Sequence, residues 1–127
     1  MTHRLLLVVA LLSGLAGCAA PAPAPAPESA PTQLQFHATT VDGADFSGES
    51  LLGEPAAFWF WAPWCPTCQR EAPMVAEAAA THPEVTFVGV GSASEPPQMR
   101  EFVAKHRLTS MVTLADTSGA VWAKFGV

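Results

Sequence analysis

From position 33 onward, apolar and polar residues fall into short alternating runs and longer periodic ones, and these predict the elements. Leu34, Phe36 and Ala38 alternate with polar neighbours, as in a half-buried strand. Val41-Asp42-Gly43 supplies a turn and Ala44-Asp45-Phe46 a return strand, which together predict a hairpin. Glu49 to Leu52 predicts one helical turn, closed by Gly53. Ala56 to Trp61 is an unbroken apolar run, suited to a strand covered on both faces in the middle of a sheet. A helix follows from Cys65 to about Thr81, with Met74, Val75 and Ala78 on its apolar face. Pro66 falls in its first turn, where a missing N–H costs little, and Pro73 lies inside it, where a kink is expected. His82-Pro83 ends it. Val85 to Val90 reads as a second buried strand, with Gly89 and Gly91 easing the chain out of it. Ser94 to about Arg107 reads as a second helix with Met99, Phe102 and Val103 inward, and Met111 to Ala115 as a third strand. After a turn at Asp116-Thr117-Ser118-Gly119, Ala120 to Phe125 forms a short helix with Val121, Trp122 and Phe125 apolar. Strand, helix, strand, helix, strand, short helix predicts an α/β layer with at least two parallel strands.

Ahead of this region the pattern changes. Ala19 to Pro31 is a low-complexity stretch in which Ala-Pro repeats, a composition that favours extended polyproline II at about 3.1 Å per residue. Fully extended, such a tether reaches roughly 40 Å, and it contributes nothing to a core. Met1 to Gly17 has a basic start (His3, Arg4), an apolar stretch from Leu5 to Leu12, and small residues before Cys18. The apolar stretch falls short of the roughly 20 residues that span a bilayer, so it reads as an export signal. Leu15-Ala16-Gly17-Cys18 resembles a bacterial lipoprotein box, which implies a lipidated Cys18 as the first residue of the mature chain. An ordinary cleaved signal with an incidental cysteine is the alternative. Several acyl chains on Cys18 would anchor the protein stably, where one alone would be marginal. The expected organisation is a signal over residues 1–17, a lipidated tether over 18–32 and one domain over 33–127.

Composition narrows the function. The chain has 127 residues, half of them hydrophobic, and a formal net charge of -5. Its lysines and arginines are few and scattered, so there is no basic stripe for a nucleic acid. Its three cysteines are Cys18, Cys65 and Cys68, and the last two stand at the handover from strand to helix. Free backbone N–H groups and the helix dipole favour a thiolate there. Cysteines at i and i+3 share a helix face and can close a disulfide. Cys65 at the terminus is the exposed member and Cys68, one turn deeper, the sheltered one. This asymmetry makes Cys65 the attacking sulfur and Cys68 the one that resolves the mixed disulfide.

Other uses of such a pair compete. A zinc site needs two more ligands, and His3, His37, His82 and His106 show no matching spacing. A structural bridge suits an exported protein, but so small a loop stabilises little. A chance pair of core cysteines leaves Trp64 and Pro66 unexplained. Trp64, beside Cys65 in a loop, is expected to shape the surface a substrate meets, together with Pro66 and Thr67 between the cysteines. Glu71, three residues past Cys68, is either a solvated helix acid or a group that handles the Cys68 proton.

Trp61-Ala62-Pro63-Trp64-Cys65-Pro66-Thr67-Cys68, followed by Glu71-Ala72-Pro73, resembles the thioredoxin-like exported thiol–disulfide oxidoreductases of the TlpA/ResA/DsbE type. The likeness is greatest to the actinobacterial DsbE/DsbF-like lipoproteins. It extends from Leu34-Gln35-Phe36 through Glu49-Ser50-Leu51-Leu52-Gly53 and His82 to Val90, ending at Val121 to Val127. It implies a thioredoxin-like α/β fold with an N-terminal hairpin, no cofactor, Cys65 as nucleophile, Cys68 as resolving cysteine and Glu71 as the family's acid. It further implies an enzyme on the outer face of the cytoplasmic membrane that oxidises cysteines of exported proteins and is recycled by a membrane redox partner. A reductase of the cytochrome c maturation type and a non-catalytic binding lipoprotein are the alternatives. Peroxide-reducing relatives share the fold but set their cysteine in a different context. Two departures stand out. The buried Asp of cytoplasmic thioredoxins, six positions before the first cysteine, is Trp59 here. The family also continues into a cis-proline loop, two strands and a helix, whereas no proline follows Pro97 in this chain. A C-terminal truncation at Val127 is therefore expected, and with it a poorly stable domain that turns over weakly or not at all.

Overall fold

The computed structural model describes residues 30–127. The expected signal, Cys18 and all but the end of the tether lie outside the described residues. A 3-10 turn at Thr32–Leu34 leads into a hairpin of β1 (His37–Thr39) and β2 (Asp45–Ser47), antiparallel with Ala38 opposite Phe46. The first strand therefore begins at His37 and not at Leu34. Leu34 N–H bonds back to Pro31 O at 2.9 Å, a turn that starts from the fixed backbone of Pro31. The alternation survives the change, because Leu34, Phe36 and Ala38 all pack into one cluster. Gly43 N–H closes the hairpin turn on Thr40 O at 2.9 Å. A second 3-10 turn, Gly48–Leu51, precedes the sheet.

The sheet comprises β3 (Ala56–Trp61), β4 (Thr86–Ser92) and β5 (Val112–Asp116), all parallel in the order β3-β4-β5. Its middle strand among the described residues is β4, and not Ala56 to Trp61 as the apolar run suggests. Among the described residues β3 pairs with β4 alone, and its side chains from Ala57 to Phe60 are half-buried while Trp61 is buried. The hairpin joins the far side of this sheet, where Val41 N–H donates to Thr113 O at 2.9 Å. The connections are α1 (Pro66–Thr81) and α2 (Pro96–His106), and α3 (Ala120–Phe125) follows β5. α1 runs unbroken through Pro73, which has no N–H for the carbonyl of Gln69.

Strand alternation divides the core in two. Trp59 and Trp61 join Cys68, Ala72, Met99, Phe102 and Leu108 on one face, the face of α1 and α2. Phe58 and Phe60 join Phe36, Val88, Val90, Leu114 and Val121 on the other, with the hairpin and α3. Trp61 is fully buried and lies flat on Phe102, with ring centroids 4.5 Å apart. Gly89 and Gly91 make this possible: a Cβ at Gly91 would stand 2.8 Å from Trp61 Cζ2, and one at Gly89 3.0 Å from its Nε1. These glycines seat an indole against β4, a role beyond easing the chain out of a strand.

Candidate functional site

β3 delivers the chain to the site through Trp61 and Ala62, both buried. Pro63 and Trp64 then turn it into α1, and Cys65 N–H closes the turn on Ala62 O at 3.1 Å. Cys65 is the N-cap of α1, with extended backbone, and Pro66 takes the first helical position. The cap is made by sulfur: Cys65 Sγ accepts the N–H of Cys68 at 3.3 Å. Gln69 steadies the loop by donating to Pro63 O at 3.0 Å, and Arg70 donates to Thr67 Oγ1 at 2.9 Å. Both thiols are free, Cys65 half-buried and Cys68 buried.

The two sulfurs are pushed in opposite directions. The Cys68 thiol, hydrogen-bonded to Cys65, holds Cys65 below the ordinary thiol range, helped by the backbone N–H groups of Cys68 and Thr67. Partial burial and the charge of Glu71 work against this. Burial pushes Cys68 up, and its bond to Cys65 adds to the effect. A site of this form holds one proton between two sulfurs, keeping it on the inner sulfur and leaving the outer one as the nucleophile or leaving group.

The residues singled out in the sequence come together here. Cys65, Pro66, Thr67 and Cys68 form the first turn of α1, and Glu71 stands half-buried one turn further on. Trp64 is 65% exposed beside Cys65, and its Nε1 donates to Ala93 O at 2.9 Å. Ala93 has φ +53°, so the loop after β4 is held in a left-handed conformation where the indole meets it. Between the start of α1 and α2 lies an open groove of about 330 Å³, walled by Pro63, Trp64 and Gln69 on one side and Gln98, Phe102 and Lys105 on the other. Among the described residues no three His, Cys, Asp or Glu side chains converge as a metal-binding group.

One contact goes beyond the sequence reading. Trp59 Nε1 donates to Glu71 Oε2 at 3.2 Å. Trp59 reads in the sequence as core and as the place where an acid is missing. The available signal was its two-residue spacing from Trp61, which puts both indoles on the sheet face that α1 covers.

The chain matches the Redoxin family over residues 20–127. It is 46% identical over 99 residues to the soluble secreted antigen MPT53 of Mycobacterium tuberculosis, an alignment that covers 78% of this chain. The chain spans 57% of that relative's length. Among solved structures it resembles dsbF of Mycobacterium tuberculosis, with 63% identity, a TM-score of 0.76, and coverage of 78% of this chain and 74% of the other. It also resembles a secreted Mycobacterium tuberculosis disulfide oxidoreductase homologous to E. coli DsbE, with 46% identity and a TM-score of 0.73, over 76% of this chain and 72% of the other.

Proposed function

Because the chain belongs to the Redoxin family and has its thioredoxin-like fold, we propose that it is an exported thiol–disulfide oxidoreductase whose exchanging pair is Cys65 and Cys68. The observation that carries this reading is the sulfur N-cap: Cys65 Sγ accepts Cys68 N–H at 3.3 Å while Cys68 stays buried behind it. The resemblance to a secreted disulfide oxidoreductase supports the same chemistry and a place outside the cytoplasm.

The pair works as an oxidant of cysteines in other exported proteins. A partner thiolate attacks Cys65 Sγ of the Cys65–Cys68 disulfide, the bond between the two cysteines breaks, and Cys68 leaves with the electron pair and takes up a proton. A second partner thiolate then attacks the partner's own sulfur in the mixed disulfide and expels Cys65. The partner loses two electrons and gains a disulfide; the pair gains them and is reoxidised by a membrane redox partner. The stabilised thiolate at Cys65 favours this direction, because a sulfur of lower pKa leaves faster. Trp64, Pro66 and Thr67 present the surface on which the partner lands. Lipid on Cys18 and the Ala/Pro tether hold the domain at the outer face of the cytoplasmic membrane.

The reduction potential measured against glutathione tests the direction. A value above the glutathione couple is expected, and a value well below it would replace the oxidase with a reductase. Cys68→Ser tests the chemistry itself: it should accumulate mixed disulfides through Cys65 in an exporting cell. No trapped partner would favour a non-catalytic binding lipoprotein.

A further inference from the structure

Glu71 is held from the strand side. Trp59 Nε1 reaches its Oε2 at 3.2 Å, joining β3 to α1 at a point where both side chains are only half-exposed. The indole is itself fixed, stacked on Trp61 with centroids 6.1 Å apart and packed on Phe102 at 6.3 Å. Trp59 and Cys65 also pack against the cluster that contains Cys68. An indole suits this task because it offers one N–H, accepts nothing and carries no charge. It aims a carboxylate without neutralising it.

Building on the oxidoreductase reading, we propose that Trp59 is a positioning residue for the dithiol: its N–H fixes the Glu71 carboxyl group beside the pair, where it gives and takes the proton of Cys68. When Cys68 is expelled from the disulfide with its electron pair, a proton from water passes to that sulfur by way of the Glu71 carboxylate, which ends the step as it began. In the reverse step the carboxylate removes the Cys68 proton as Cys68 attacks Cys65 and the partner departs as thiolate. The indole N–H keeps its own proton throughout. Among the described residues, Glu71 is the charged side chain besides the two thiols that acts on both sulfurs, and it opposes ionisation at each.

That opposition gives a readout that needs no substrate, the ultraviolet absorbance of the thiolates titrated against pH in the reduced protein. Glu71→Gln is expected to move the titration to lower pH. Trp59→Phe keeps a ring but removes the N–H, so it should move the titration the same way, and Trp59→Phe with Glu71→Gln should move it no further than Glu71→Gln alone. Each single change should also slow the opening of the disulfide by reduced glutathione by about tenfold. The proposal is overturned if Trp59→Phe titrates like the unaltered protein, if the two shifts add, or if Glu71→Gln leaves the titration in place. Should Trp59→Phe fail to fold, the Trp59 indole N–H resonance is compared between the unaltered protein and Glu71→Ala. A displaced resonance with faster solvent exchange supports the contact, and an unchanged one overturns it. A protein that titrates as expected yet exchanges no disulfide would instead refute the oxidoreductase reading.

Discussion

At Cys65 a sulfur takes the place of the oxygen that most helix N-caps use, accepting an N–H three residues ahead. The cap and the thiolate are therefore the same atom, and what strengthens one strengthens the other. The largest single support for that thiolate is the Cys68 thiol, ahead of the backbone. Cys68→Ala removes the thiol donor and keeps the N–H, so the pH midpoint for alkylation of Cys65 should climb towards the free-thiol value of about 8.5. A midpoint that stays put would mean that the backbone alone stabilises the anion. In the reduced protein the depressed Cys65 contributes stability that is full above the unfolded thiol value and lost as pH falls through its folded value. Cys68 has the opposite sign: its contribution is full below the unfolded value and lost as pH rises through its folded value. The positions of both cysteines were legible in the sequence, because a strand-to-helix handover leaves free N–H groups by geometry alone. The Trp59–Glu71 contact was not, since it depends on which turn of α1 crosses which residue of β3.

β3 and β4 pair edge to edge, and on one face of the pair the Trp61 indole lies over Gly89 and Gly91. A methyl group at position 91 would press on an indole that is already stacked on Phe102 and cannot retreat. Gly91→Ala should therefore cost about 1–3 kcal/mol in denaturant unfolding, the usual range for overpacking a core. Trp61→Phe shortens the obstructing ring, so the same Gly91→Ala change should cost less in that background. Equal costs would place the strain in the backbone. Apolar runs and turn residues in the sequence predict every helix and strand from Ala56 to Phe125 to within a few residues. The middle strand could not be read that way. An apolar run of six suggests cover on both faces, whereas β3 is half-buried from Ala57 to Phe60 and fully buried only at Trp61, because among the described residues it has one neighbouring strand. Leu34 shows the converse: its face was legible, but its 3-10 backbone was set by Pro31.

Across the whole molecule, the stack Trp61, Phe102, His106 runs from the sheet through α2 towards the surface. His106 lies 4.5 Å from Phe102, and its Nε2 is buried without a hydrogen-bond partner among the described residues. Burial, followed by the charge of Lys105, holds its pKa below the ordinary histidine value of about 6.5. The unfolded chain therefore takes up the proton first, and the stability of the neutral ring is full above that value and lost as pH falls through the lowered one. Thermal unfolding should show a midpoint that drops as the solution is acidified from neutrality, with a smaller drop in His106→Leu. Equal drops would assign the acid sensitivity to the carboxylates.

The indoles have an optical consequence. Trp61 shares its packing cluster with Cys68, Trp59 packs on the same cluster, and Trp64 flanks Cys65. Trp122 lies on the opposite face of the sheet, where its Nε1 donates to Val90 O at 3.0 Å. Sulfur quenches excited indole at short range, and a disulfide does so differently from a thiol or thiolate. Emission from three tryptophans should therefore change when the Cys65–Cys68 pair is oxidised while the fourth supplies a steady background, and an emission spectrum that is the same before and after reduction would refute the coupling.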